Sequence, residues 1–356
     1  MAATADTVQP FTDLRSYLQT VITSKQHTEL CNSVIPTLID AISGIAKALR
    51  RSQQVSLVGS ANAFGDDQLN VDVLAEDIIR GALAKSASVV TASSEEDPVE
   101  RSVHHQEQRP QSTGVDDDAT GTSGEQYTVA FDPLDGSSII APNWSVGTII
   151  GIWEGSTALH QPPATKQVAS ILGVFGPRTI AIVAVRTNNN TPGSPKEGGV
   201  CFEVGLDDGG SGSAAAVVLR PSVRFAEAPF KTRYFAPANL RAAAEDDRYM
   251  RLVTHFVQSR YTLRYSGGLV PDVVHALVKG HGVYVSPVTA TSRAKLRRLF
   301  ELFPLALIVE CAGGLAVDPM DGSNILDRAL EDINERAGLV CGVREDVEFV
   351  KGALCS

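Results

Sequence analysis

Phe131-Asp132-Pro133-Leu134-Asp135-Gly136-Ser137-Ser138 stands directly behind Tyr127–Phe131, a run of aromatic and β-branched residues with strand character. A strand delivers Asp132 to its end, Pro133 fixes the turn, and Asp135 comes back beside it three positions later. Two carboxylates and a carbonyl gathered in this way suit a hard cation such as Mg²⁺. Gly136 lets the backbone approach closely, and the N–H groups of Gly136, Ser137 and Ser138 can receive phosphate oxygens. The same residues also satisfy an ordinary type I or II surface turn, with Pro second and Gly following. Taken alone, the stretch leaves both readings open.

Outward from it, hydrophobic spacing sorts the chain into elements. Leu30, Val34, Leu38, Ile42, Ile45 and Leu49 recur every three or four residues and predict a helix with one stripe toward a core. Val71, Leu74, Ile78, Ile79 and Leu83 predict another over Asn70–Ala84, with Asp66 and Asp67 ahead of its N-terminus. The runs Ser88–Ala92, Val146–Ile152, Ile180–Val185 and Val217–Leu219 read as further strands. After about residue 222, helical patterns at Glu245–Ser259, Pro271–Lys279 and Ala294–Cys311 alternate with extended Leu263–Tyr265 and Val283–Val285. Pro304 lacks an amide donor, so it should break or kink the last helix near Phe303 and aim the preceding Glu301 at a specific place. The polar segments 101–126 and 187–199 read as surface insertions, and Asp207–Ser213 as a hairpin tip. The expected class is α/β, an α+β layered sandwich in two subdomains, 1–221 and 222–356.

Composition excludes several functions. At 356 residues and 43% apolar, the chain can bury a large core. A net charge of −10 repels nucleic-acid backbones yet leaves room for a small phosphate ligand. Cys31, Cys201, Cys311, Cys341 and Cys355 are scattered, without a CxxC pair, which suits a reducing compartment better than a disulfide scaffold. The most apolar window, Val168–Val185, is interrupted by Gly176-Pro177-Arg178, so no membrane span is expected. The opening MAATADTVQPFTDL carries acids and no basic-then-apolar signal, which points to the cytoplasm.

Other acids stand near element ends: Glu95-Glu96-Asp97 behind the strand Ser88–Ala92, and Asp66 and Asp72 around a helix start. Each alone is commonly a solvated cap. A two-metal site would need several such oxygens plus a base for water, provided the fold brings them together. His275 and His281 read as helix-face and loop residues, since no second His lies at ligand spacing.

GDDQLNVD, SSEED, FDPLDGSS, RYSGGLVPD, KLRRLFE and ECAGG, in this order from about Asn62 to Lys351, resemble the fructose-1,6-/sedoheptulose-1,7-bisphosphatase family of Mg²⁺-dependent sugar phosphatases. The resemblance implies the sugar-phosphatase fold, with a metal/phosphate subdomain followed by a sugar-binding one. It implies Glu95, Asp132, Asp135 and Glu301 as metal ligands, the Leu134 carbonyl completing one shell, with two or three Mg²⁺ ions or Mn²⁺ in their place. Asp72 and Glu96 match acids that activate the attacking water, and Asp66 one that assists. Gly136 and Ser137 match the cradle of the leaving phosphate, Asn239, Arg264 and Tyr265 contacts to the other phosphate, and Lys295 a contact to sugar oxygens. Arg264 would reach a neighbouring subunit, hence a homodimer or homotetramer.

The implied reaction is hydrolysis of the C1 phosphate of sedoheptulose 1,7-bisphosphate, with fructose 1,6-bisphosphate as the alternative substrate. Family members acting on the six-carbon sugar usually carry tyrosines where this chain has Ala242 and Ser286, which should leave room for the longer one. An inositol- or nucleotide-phosphate phosphatase is disfavoured because FELFPLA stands where a WDxAAG-type segment is expected. A non-enzymatic metal-binding subunit would have lost catalytic acids, and every matched one is present. The plastid redox segment CGGTAC is replaced by Val55-Ser56-Leu57-Val58-Gly59-Ser60, so thiol control is not expected. A late Asp318-Pro319-Met320-Asp321-Gly322-Ser323 imitates the main motif and reads as a coincidental surface turn.

Overall fold

The computed structural model describes residues 12–22, 27–61, 67–104, 124–187, 198–206 and 216–355. Asp66 and most of the expected insertions and hairpin tip, at 105–123, 188–197 and 207–215, lie outside the described residues.

Strict alternation along the strand Tyr127–Asp135 sends Tyr127, Val129 and Phe131 to one face of a sheet and Ala130 to the other. That sheet has nine strands among the described residues, all between Thr12 and Arg220. Neighbouring strands run antiparallel, except Val89–Ser94, which lies parallel to Tyr127–Asp135. The helices Leu14–Val21, Ile35–Arg51 and Asn70–Leu83 cover the Tyr127 face with a core of Leu18, Leu38, Ile42 and Ile79. On the opposite face, the helices Leu269–Lys279 and Phe303–Cys311 pack between this sheet and a second, five-stranded one built from residues 234–342. The second sheet turns Ala236 inward and Phe235 outward, where the helices Asp247–Gln258 and Arg344–Leu354 close a third core. The result is five layers, helix–sheet–helix–sheet–helix, as the layered α/β reading requires.

Two predicted helices are each divided near a proline, for one reason. The stripe from Leu30 begins with a π turn, Leu30–Val34, and becomes α-helical at Ile35, with Pro36 in the first turn. Ala294–Cys311 likewise resolves into a short strand Leu296–Arg297, a π turn Arg298–Leu302 and an α-helix Phe303–Cys311, with Pro304 in its first turn. Proline is tolerated there because first-turn amides have no intrahelical acceptor. The expected break at Phe303 is therefore where the α-helix begins rather than a kink within it. Gln167–Phe175 was not read as a strand because it is buried almost throughout, as an apolar run without alternation. Among the described residues no helix is long and apolar enough to cross a membrane.

Candidate active site

Parallel pairing of Val89–Ser94 with Tyr127–Asp135 brings the ends of these strands side by side, and the Glu95 amide donates to the Phe131 carbonyl at 3.0 Å. Glu95 and Asp132 thus follow directly on the paired residues Ser94 and Phe131 of neighbouring strands. The π turn at Arg298–Leu302 supplies Glu301 from the layer beneath. Asp132, Asp135 and Glu301 then offer carboxylate oxygens within 4.8 Å of one another, and all three are buried.

Each acid of this cluster is held by backbone. The Leu134 amide donates to Asp132 Oδ1 at 3.0 Å. Leu269 and Val270, in the first turn of their helix, donate to Asp135 Oδ1 and Oδ2 at 3.2 and 2.7 Å. The Arg297 amide donates to Glu301. These bonds favour the charged forms, but burial and mutual repulsion oppose them more strongly. Burial first, then the negative charges of Glu95, Asp135 and Glu301, push Asp132 well above the ordinary carboxylate range. Burial likewise pushes Asp135 up to about 6, against the two amide bonds, and raises Glu301, with Glu95 adding to each. A buried group of acids under such strain is a ready host for divalent cations, whose charge replaces the protons. Carboxylates at this spacing are the hard oxygen donors that Mg²⁺ or Mn²⁺ require, and the residues present fit such ions.

Asp72, at the third position of the helix Asn70–Leu83, accepts the Leu69 amide on Oδ2 at 3.0 Å, while its buried Oδ1 has no partner among the described residues. Burial raises it to about 6, with a further contribution from Glu95. Glu96 is half-buried beside Glu95. Gly136 has φ +97°, the left-handed region, and a Cβ there would stand 3.2 Å from Val146, so glycine fits this turn both conformationally and sterically. Ser137 begins a single exposed helical turn, Ser137–Ile140.

The residues expected at the second phosphate come from other segments of the chain, with Arg264 and Tyr265 on the loop that Asp272 holds. Arg264 and Tyr265 line a cavity of about 750 Å³ together with Trp144, Phe175, Asp272 and His275. Arg264 lies over the Tyr234 ring at 5.5 Å and donates to the Leu263 carbonyl. Asn239 adopts φ +51° and donates to the Pro287 carbonyl at 2.9 Å. Lys295 is exposed, one residue ahead of the strand Leu296–Arg297. Ala242 corrects an expectation: it is fully buried in the third core, with Phe235, Tyr249 and Phe256, so it opens no room for a longer sugar. Ser286 remains half-buried at a strand end and carries that argument alone.

Two site residues went unread in the sequence. Arg297, 1% exposed, donates from Nε to Glu95 at 2.9 Å and is a cation set among the acids. Asp272 accepts the Ser266 and Gly267 amides at 2.7 and 3.2 Å, which shapes the loop carrying Arg264 and Tyr265. Their signal was present only as an Arg within Lys-Leu-Arg-Arg and an Asp after a Pro, residue types that are usually solvent-facing.

Comparison with known proteins agrees with this geometry. Residues 16–192 match the fructose-1-6-bisphosphatase N-terminal domain and residues 228–354 its C-terminal domain. The chain is 35% identical to a chloroplastic sedoheptulose-1,7-bisphosphatase of Triticum aestivum, over 80% of this chain and 63% of that protein. It is 35% identical to one of Chlamydomonas reinhardtii over 90% and 73%. A class 1 fructose-1,6-bisphosphatase of Syntrophotalea carbinolica is also 35% identical, over 88% of each chain. The chain thus spans somewhat under two thirds of the wheat protein and most of the bacterial one. A crystal structure of a proposed sedoheptulose-1,7-bisphosphatase from Toxoplasma gondii superposes with a TM-score of 0.79 at 32% identity, covering 96% of this chain and 98% of that one. With both domains matched in order, the chain belongs to the fructose-1,6-bisphosphatase family.

Proposed function

We propose that the chain hydrolyses the C1 phosphate of sedoheptulose 1,7-bisphosphate, releasing sedoheptulose 7-phosphate and inorganic phosphate with Mg²⁺ as cofactor. The observation that carries this is the buried Asp132–Asp135–Glu301 cluster, with its oxygens within 4.8 Å. Those three, with Glu95 and the Leu134 carbonyl, would hold two or three Mg²⁺ ions, or Mn²⁺. When bound, such ions supply neutralisation of the phosphoryl oxygens and of the departing alkoxide. Asp72 takes the proton of the attacking water on Oδ1, which has no partner among the described residues, assisted by Glu96. Asp66 is assigned an assisting role on its motif alone. The Gly136 and Ser137 backbone receives the leaving phosphate, at a left-handed turn where Gly136 carries no side chain to stand in the way. Asn239, Arg264 and Tyr265 hold the other phosphate, and Lys295 the sugar oxygens.

The seven-carbon substrate is favoured by the plant, algal and Toxoplasma relatives and by Ser286 at a site where tyrosine is usual. The bacterial relatives support fructose 1,6-bisphosphate as the second reading. We further place the boundary between the metal/phosphate and sugar-binding subdomains at 221/222, the enzyme in the cytoplasm, and the assembly as a homodimer or homotetramer through Arg264. Phosphate release with Mg²⁺ across both sugar bisphosphates, an inositol phosphate and a nucleotide phosphate tests the assignment. The expected kcat/KM preference for the seven-carbon substrate is about 10–200-fold, the range available to a small pocket difference. A preference for fructose 1,6-bisphosphate moves the assignment to the second reading, and no release from either sugar overturns it.

A further inference from the structure

The late Asp318-Pro319-Met320-Asp321-Gly322-Ser323 does form a turn, with Met320 and Asp321 exposed, but Asp318 is only 6% exposed. Its Oδ1 accepts the Met320 amide at 3.0 Å and its Oδ2 receives a charged hydrogen bond from Arg298 Nη2, itself 7% exposed. Arg298 opens the π turn that ends at Leu302 and carries Glu301. Its carbonyl accepts the Phe303 amide that closes the turn, and its own amide donates to the Glu335 carbonyl at 2.9 Å. The side chain and amide of Arg298 therefore tie the start of the turn to Asp318 and Glu335, while its carbonyl joins the two ends of the turn. A π turn is an uncommon winding, and Pro304 just beyond withholds the amide that would extend the hydrogen-bond ladder. The direction of Glu301 then depends on how the start of the turn is held, where the Arg297 amide donates to Glu301 and Arg298 is tied to Asp318. A buried ion pair adds little net stability, but it specifies one arrangement where alternatives lie close in energy.

We propose that Asp318 is a positioning residue which, through Arg298, fixes the π turn so that Glu301 points into the acid cluster. The inference rests on the proposed metal-dependent reading of that cluster. In the intact protein, Asp318→Asn keeps the shape and removes the charge, and Asp321→Asn in the same motif serves as the exposed control. Expected for Asp318→Asn is a rise of about 10–100-fold in the Mg²⁺ concentration for half-maximal activity, the usual effect of disturbing a group behind a metal ligand. Substrate KM at saturating Mg²⁺ should change less than about twofold, because the defect lies on the metal side of the site. Mn²⁺ binding without substrate, read by electron paramagnetic resonance, should weaken by the same factor, while Asp321→Asn matches the wild type. If Asp318→Asn fails to fold, Arg298→Lys, which keeps the charge and loses the second nitrogen, should show the same shift at smaller size. Unchanged Mn²⁺ affinity in a folded variant overturns the inference, as does an equal shift in Asp321→Asn. A wild type that binds no Mn²⁺ overturns instead the reading of the cluster on which it stands.

Discussion

The Val270 amide donates to Asp135 Oδ2 at 2.7 Å, joining residues 135 positions apart in sequence. The helix Leu269–Lys279 thus starts against an aspartate of the acid cluster, and the same helix carries Asp272, whose carboxylate shapes the loop of Arg264 and Tyr265. One rigid element links the metal side of the site to the cavity beside it. Asp135→Asn and Asp272→Asn should therefore separate. Loss of an Asp135 charge removes several kcal/mol of metal-held charge stabilisation, so kcat should fall by about 10³-fold. Asp272→Asn should leave kcat within about threefold and raise KM, because it loosens only the contacts to the remote phosphate. Steady-state kinetics on both variants check the split, and with it the proposed contact of Arg264 and Tyr265 to that phosphate.

The raised carboxylates set the sign of a pH dependence. Asp72 and Asp135 move from an ordinary 3.8 to about 6 in the folded protein without metal. Between these values the folded form keeps protons that the unfolded form has released, so this contribution to stability is present below the unfolded value and is lost as pH rises through about 6. Divalent ions held by the deprotonated cluster of the folded state, as proposed, would compensate for that loss. Thermal unfolding should show a larger stabilisation by Mg²⁺ over chelator at about pH 8 than at about pH 5. Equal shifts at both would mean that the ions bind elsewhere.

Gly147 lies under the same helix start, and a Cβ there would stand 2.4 Å from the Val270 Cβ. A branched Cβ cannot swing aside, so Gly147→Ala must push the helix off the sheet. The expected cost is about 1–3 kcal/mol from overpacking, with a drop in kcat as the Val270 amide leaves Asp135. Denaturant unfolding and Mg²⁺-dependent turnover should register both effects together.

The five cysteines carry free thiols, and none of them falls within Val55–Ser60. Turnover should not change with dithiothreitol and thioredoxin. A several-fold activation would show a redox contact outside that segment.

Much of the site was legible because its chemistry is local: Asp132, Pro133, Asp135 and Gly136 fall within one turn, and the turn dictates its own residue types. Glu301 was legible for a related reason, since Pro304 forces the winding to change just beyond it. Arg297 and Asp272 were not legible, because a charged residue declares its partner only once both are buried together. Asp318 misled in the opposite sense, its motif reading as a surface turn although its carboxylate lies inside, against Arg298.

The sequence by itself determined which acids this protein owns, the turn that gathers two of them, the layered α/β plan and the absence of the cysteine pair, because periodicity and turn chemistry act over a few residues. Only the tertiary structure decided that Glu301 meets Asp132 and Asp135, that Ala242 is walled into a core and that Arg264 lines a cavity with Asp272 and His275. Those outcomes depend on the stacking of two sheets around shared helices. Desolvation and like-charge repulsion, the forces that prepare the acids for cations, arise only when distant segments are pressed into one dry space.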